Sequence, residues 1–265
     1  MSKIADNLIN FPTVNCITLE KAVQRQNFLL ESFQKYNLKY KFCYGYDGIN
    51  NKSGNIKDIA DISSPFLHQM NTGEICTSIS HLKCIHDWYY NTEEEYGFFC
   101  EDDVLLSLSD NWNFKWEEIE NLFPSDWGII QLSLIRKFEN TNDYKFMKFH
   151  KYLWDNWCAC CYLVSRKYAK KLIDIHCKGL NIFDLNLPYY PNTVPLIENV
   201  LYNADNKETA YTLPLFVENI EIPSSFYPKF IQSNLKDNQQ YSSLLIKDWW
   251  STIGKEKTAD WFFES

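Results

Sequence analysis

Short apolar runs alternate with amphipathic stretches through the first two thirds of the chain, and this rhythm predicts a mixed strand and helix architecture. Residues 14–19, centred on Asn15-Cys16-Ile17-Thr18-Leu19, read as a first strand. Residues 21–36 follow as a helix with Val23, Phe28, Leu29 and Phe33 on its inner side. Residues 40–46 read as a second strand, closed by the turn signature Tyr46-Asp47-Gly48. The polar, irregular stretch 49–72 reads as a mobile loop beside a site. From about 74 to 90, Ile75, Ile79, Leu82 and Ile85 recur at helical spacing and lead into the apolar run Tyr96-Gly97-Phe98-Phe99-Cys100. Trp127-Gly128-Ile129-Ile130-Gln131-Leu132 is another buried strand, and Tyr162-Leu163-Val164-Ser165-Arg166 a further one. Ser165 is placed to cap a helix through Lys171 and Ile175 that stops near Gly179. Alternating short strands and helices of this kind favour an α/β layer architecture with a largely parallel central sheet. The last third, rich in Pro and aromatics, reads as extended segments and loops. No internal repeat is present.

Composition narrows the class. At 265 residues with 45% hydrophobic and 17% aromatic content, the chain can bury one large core, so a single domain is expected. No apolar run reaches the length of a membrane span, and Met1-Ser2-Lys3-Ile4-Ala5-Asp6 lacks the apolar centre of a signal peptide. The formal net charge of −8 and the lack of a Lys/Arg cluster exclude a nucleic-acid footprint. Nine cysteines, an odd count without framework spacing, predict free thiols in a reducing compartment, so a cytoplasmic location is expected. Cys158, Cys160 and Cys161 lack zinc-site spacing and fit a buried strand. Glu93-Glu94-Glu95 reads as a solvated loop.

The chemistry concentrates at Glu101-Asp102-Asp103, which closes the run ending at Cys100. Two unit charges 4 Å apart repel by about 4 kcal/mol at an effective dielectric near 20, so three adjacent carboxylates at the mouth of a buried strand call for a cation. An oxygen-only set suits Mg²⁺ or Mn²⁺, which complete their octahedra with water and substrate phosphate. In an open α/β sheet, ligands bind outside the carboxyl ends of the strands, where this triplet falls.

The order of motifs resembles the family 25 glycosyltransferases, which include bacterial lipooligosaccharide galactosyltransferases and collagen β-galactosyltransferases. The resemblance runs over roughly residues 14 to 226. It rests on the first strand with the later Arg25, on Asp47-Gly48, on Gly73-Glu74-Ile75-Cys76-Thr77-Ser78-Ile79-Ser80-His81, on Glu101-Asp102-Asp103, and on Tyr162-Leu163-Val164-Ser165. Thr18-Leu19-Glu20-Lys21 stands where the family usually has Asn-Leu-Asp-Arg, and Cys76-Thr77 replaces its Gly-Cys. No histidine follows His176, so a late histidine ligand, used by some GT-A enzymes, is missing.

The resemblance implies a single GT-A type, Rossmann-like domain and an enzyme that moves a hexose, galactose or glucose, from a UDP-sugar to a glycan or a hydroxylated protein, with inversion. Residues 14–135 are expected on the nucleotide-sugar side and 136–265 on the acceptor side. It also implies a Mn²⁺ or Mg²⁺ ion on Asp103, with Glu101 beside it, and Asp102 and Glu101 addressing ribose and uracil. Thr18, Leu19, Glu20, Asp47 and Gly48 are expected to cradle the nucleoside, and Arg25 to reach the diphosphate or the nucleobase side. Ser80 and His81 are further donor-side candidates. A base is needed to take the acceptor proton, and metal-bound carboxylates make poor bases. Glu198 in Pro195-Leu196-Ile197-Glu198 and Asp184 in Asn181-Ile182-Phe183-Asp184 are the two candidates, Glu198 by likeness to the family's later Pro-Ile-Asp segment. Trp154 and Trp157 offer flat faces for an acceptor sugar. Two other classes stay open: a phosphohydrolase or a nucleotidyltransferase, the latter without its usual Gly-rich, Lys/Arg-containing phosphate loop near the N-terminus, and a non-catalytic glycan-binding or assembly protein with a relic site.

Overall fold

The computed structural model describes residues 6–48, 60–61, 69–136, 144–178, 182–185, 187, 194–220 and 233–264; the side chains of 60–61 and 233–239 are not described. A first strand, β1 (Val14–Thr18), leads into α1 (Val23–Lys35) and β2 (Tyr40–Tyr44). A two-residue strand, β3 (Ala60–Asp61), precedes the long α2 (Thr72–Asn91) and β4 (Tyr96–Glu101). Then come α3 (Trp116–Glu120), β5 (Ile129–Gln131), β6 (His150–Lys151), β7 (Cys161–Ser165) and α4 (Arg166–His176). The chain continues through β8 (Phe183–Asp184), α5 (Ile197–Tyr202), β9 (Ala210–Thr212) and α6 (Ser233–Thr252).

Seven strands form one sheet in the order β2-β1-β4-β7-β5-β9-β6. β1 pairs in parallel with β2 and β4, and β5 with β9, while β7 and β6 run against their neighbours. Five strands therefore point one way, and the expected α/β fold with a largely parallel sheet is what the chain adopts. β3 and β8 make a separate two-stranded pair.

Period-two alternation divides the sheet between two cores. Val14, Cys16, Phe98, Cys100, Ile130, Cys161 and Leu163 face one side, with Leu29 and Phe33 of α1 and Ile246, Trp249 and Trp250 of α6. Ile17, Phe99, Ile129, Tyr162 and Val164 face the other, with Cys84, Ile85 and Trp88 of α2, Leu172 of α4 and Leu201 of α5. Strands buried on both faces read as continuous apolar runs, which is why the sequence marks them so clearly.

Side-chain caps fix the starts of two helices. The Ser165 side chain accepts from the Tyr168 N–H at 3.2 Å, capping α4 as expected. Asn71 and Glu74 form a reciprocal capping box, so α2 starts at Thr72. Three expectations need correction or fall elsewhere. Val23 is 54% exposed, and the buried residues of α1 are Arg25, Leu29 and Phe33. Cys158 and Cys160 precede the strand and only Cys161 belongs to it, with Cys158 in a backbone conformation with φ of 113°. The last third is not only loops, because α6 runs for 20 residues. The loop expected at 49–72 lies mostly outside the described residues, as does the helix stop at Gly179.

None of the nine cysteines is bridged, as their number and spacing predict. Among the described residues no helix is long and apolar enough to cross a membrane.

Candidate active site

The carboxyl ends of β1 and β4 lie side by side, with Ile17 in register with Glu101. Strand pairing therefore sets Thr18, the next residue of β1, opposite Asp102, and its hydroxyl donates to Asp102 Oδ2 at 2.5 Å. α1 turns back over the same ends, which carries Arg25, in its first turn, into the site. Arg25 Nε lies 3.0 Å from Asp102 Oδ1, and its Nη2 donates to Asp103 Oδ2. A buried guanidinium thus spans two adjacent carboxylates, the bidentate role for which Arg is suited.

Glu101 is held from the opposite side. His81, fully buried on α2, has Nε2 at 3.1 Å from Glu101 Oε1 and Nδ1 at 2.7 Å from the Tyr162 hydroxyl. Burial pushes the His81 pKa down to about 3, so the ring is neutral. Burial also holds the Tyr162 phenol protonated. The Tyr162 O–H therefore donates to Nδ1, and Nε2–H is the hydrogen left to donate to Glu101.

The site holds more negative charge than Arg25 offsets. Burial, and then the charge of Asp103, raise the Glu101 carboxyl to about 8 against the pull of Arg25. Burial raises Asp102 to about 6, again opposed by Arg25. Among the described residues no group of three His, Cys, Asp or Glu side chains could hold a metal ion unaided. The oxygen donors nonetheless fit a hard divalent cation of the kind that takes one or two carboxylates and completes its shell with water and substrate phosphate. Asp103 Oδ2 accepts from Arg25, and its Oδ1 lies 3.8 Å from the Cys160 thiol.

Glu198, in the first turn of α5, enters the same site. Its Oε1 accepts from the Cys158 N–H at 3.3 Å. Its carboxyl is raised above the ordinary carboxylate range by burial, against the pull of its own backbone N–H and that of Cys158. Asp184 sits elsewhere: its carboxylate pairs with Lys178 at 2.7 Å on the small second sheet, and its carbonyl accepts from His176.

The remaining predicted residues sort by what they touch. Leu19 is buried and Glu20 exposed at the end of β1. Asp47 pairs with Lys21, beside the β1 end. Gly48 lies so close to the start of α2 that a Cβ would sit 2.6 Å from the Gly73 Cα. The Ser80 hydroxyl accepts from the Tyr46 N–H at 2.9 Å and donates to the Cys76 carbonyl at 2.6 Å, so it fixes the β2–α2 approach. Trp154 is 76% exposed, whereas Trp157 is half-buried and bonded to the Ile135 backbone in both directions. The two tryptophans are therefore not an equivalent pair.

Sequence reasoning missed Tyr162 as the partner of His81, and missed the segment around Glu218. The Asn219 N–H donates to the Asp103 carbonyl at 2.6 Å, and Glu218 bridges Val104 in antiparallel fashion. The apolar run Leu213–Val217 that ends on Glu218-Asn219 repeats the layout of the run ending on Glu101, and that was the available signal.

Residues 11–185 match the family model described as Glycosyltransferase family 25 (LPS biosynthesis protein). No curated protein matches the chain.

Proposed function

The chain belongs to glycosyltransferase family 25, and we propose that it transfers galactose or glucose from a UDP-sugar to a glycan or hydroxylated protein acceptor, with inversion. The observation that carries this reading is the convergence of Thr18, Arg25 and His81 on Glu101-Asp102-Asp103, with Glu198 reaching the same site from α5. The LPS description of the family favours a glycan acceptor.

Asp103, with Glu101 beside it, would hold Mn²⁺ or Mg²⁺; when bound, the ion supplies positive charge to the departing diphosphate. Asp102 and Glu101 address the ribose and uracil, with Leu19, Glu20, Asp47 and Gly48 around the nucleoside. Arg25, whose buried side chain spans Asp102 and Asp103, reaches the diphosphate. Glu198 takes the proton of the acceptor hydroxyl as its oxygen bonds to the anomeric carbon and the bond to the diphosphate breaks, releasing UDP. Its raised pKa suits a base, since a carboxylate with a higher pKa accepts a proton more readily. Trp154 offers its exposed face to the acceptor, with Trp157 beneath it in sequence.

A thermal-shift screen of UDP-galactose and UDP-glucose with Mn²⁺ tests the donor assignment. Ligand at 100 times its dissociation constant should add about 2.7 kcal/mol to stability; no shift with either sugar, with or without Mn²⁺, contradicts it. With the donor in hand, Glu198→Gln should cut turnover by roughly 10²-fold or more and leave donor affinity unchanged. Wild-type turnover in Glu198→Gln together with its loss in Asp184→Asn would transfer the base role to Asp184.

A further inference from the structure

Besides its own backbone N–H, the Glu198 carboxylate meets the backbone N–H of Cys158, and that residue is held with unusual care. Its φ of 113° lies in the region that L side chains rarely adopt. Such a conformation persists only where the surroundings over-determine it. Here they do. The Cys158 carbonyl accepts from the Tyr202 hydroxyl at 3.2 Å and from the Gln131 amide nitrogen at 2.9 Å. The same Gln131 nitrogen lies 3.1 Å from the Trp157 carbonyl and 3.3 Å from that of Asn156. Gln131 is fully buried, and its own oxygen accepts from the Thr212 hydroxyl at 3.0 Å. Thr212 in turn accepts from the Asn156 side chain at 3.1 Å.

Glu198 and Tyr202 are four residues apart on α5, so they lie on one face of the helix. From that face Glu198 takes the N–H of Cys158 and Tyr202 takes its C=O. Gln131, at the end of β5, secures the turn from the sheet side. One buried side chain thus gathers three successive carbonyls, which fixes the course of the turn.

We propose that Tyr202 and Gln131 are positioning residues for Glu198: they lock the Cys158 peptide so that its N–H aims the Glu198 carboxylate into the site. This rests on the reading of Glu198 as the base. Neither residue is asked to touch substrate. The titratable groups that act on Glu198 are Glu101 of β4, His81 of α2, Tyr152 before the turn, and Tyr202 itself.

The Cys158 amide reports the clasp without any ligand. In ¹H–¹⁵N spectra of the metal-free protein, its shift should titrate with Glu198 and lose that titration in Glu198→Gln. In Tyr202→Phe, which removes one hydroxyl at constant shape, the midpoint should rise, because the Cys158 N–H that the carboxylate accepts from is held less firmly, while the melting temperature changes little. Gln131→Glu, which replaces the donor nitrogen, should broaden or shift the Asn156, Trp157 and Cys158 amides together. A Cys158 amide that ignores Glu198, or a midpoint unchanged in Tyr202→Phe, overturns the proposal. Should Gln131→Glu fail to fold, Tyr202→Phe decides the matter alone. Turnover of Glu198→Gln tests the base separately, so either claim can fail without the other.

Discussion

Glu101 shows most directly how one residue's surroundings set its chemistry. It is flanked by Asp102 and Asp103, faces a neutral His81, and feels Arg25 only through charge. With its carboxyl at about 8, it keeps its proton in the folded state where the unfolded chain, with an ordinary carboxyl, has released it. The folded protein then binds more protons than the unfolded one, so this residue's contribution to stability falls as pH rises from the ordinary carboxyl range through about 8. Glu101→Gln should therefore raise the melting temperature of the metal-free protein, and the gain should grow from about pH 5 to about pH 8 and level off above that. Each kcal/mol relieved is worth roughly 2–4 °C in a chain of this size. A gain independent of pH would show that Glu101 is not the strained carboxylate. At this scale the triplet itself was legible, because consecutive carboxylates after an apolar run are conspicuous. The bond from Tyr162 to His81 was not, since the two residues lie 81 positions apart and are joined only by the packing of α2 on β7.

Elements carry the site to its place, and they also explain which expectations failed. On α1 the apolar pattern pointed Val23 inward, yet Val23 is exposed and Arg25 is buried. The charge at the end of β4 draws the guanidinium in, an interaction between elements that no periodicity within one helix can reveal. On α6, Ser242, Ser243, Ile246, Trp249 and Trp250 are buried at helical spacing. That pattern was in the sequence, but it was masked by reading the Pro-rich last third as one region, although no proline follows Pro228. The β2–α2 approach was read correctly as a turn at Asp47-Gly48, and the structure adds why glycine is required. Gly48→Ala would drive a Cβ to within 2.6 Å of the Gly73 Cα, backbone against backbone, and push the loop off α2. The expected loss is about 1–3 kcal/mol of stability by denaturant titration, with weaker UDP binding alongside it. Full stability and full affinity in Gly48→Ala would show that the loop yields freely.

Across the whole molecule, one sheet joins the two stretches of sequence assigned to donor and acceptor. β7, from the later stretch, lies between β4 and β5 of the earlier one. The site is correspondingly built from both, with Glu198 and the Asn219 N–H arriving from the later stretch. The α/β class and the succession of strands and helices in the first half follow from apolar runs and their spacing; the strand order, with β7 inserted between β4 and β5, does not, because strand neighbours are set by long-range packing. If the later stretch serves the acceptor, Trp154→Ala should lower transfer yet spare both UDP affinity and hydrolysis of the UDP-sugar by water. The 76% exposure of Trp154 leaves the fold untouched, so equal loss of transfer and hydrolysis would place the boundary elsewhere. If Glu101-Asp102-Asp103 is a cation-dependent nucleotide site, calorimetry should find Mn²⁺-dependent UDP binding in the wild type and none in Asp103→Asn, with an unchanged circular dichroism spectrum; equal, Mn²⁺-dependent affinity in both proteins would contradict that role.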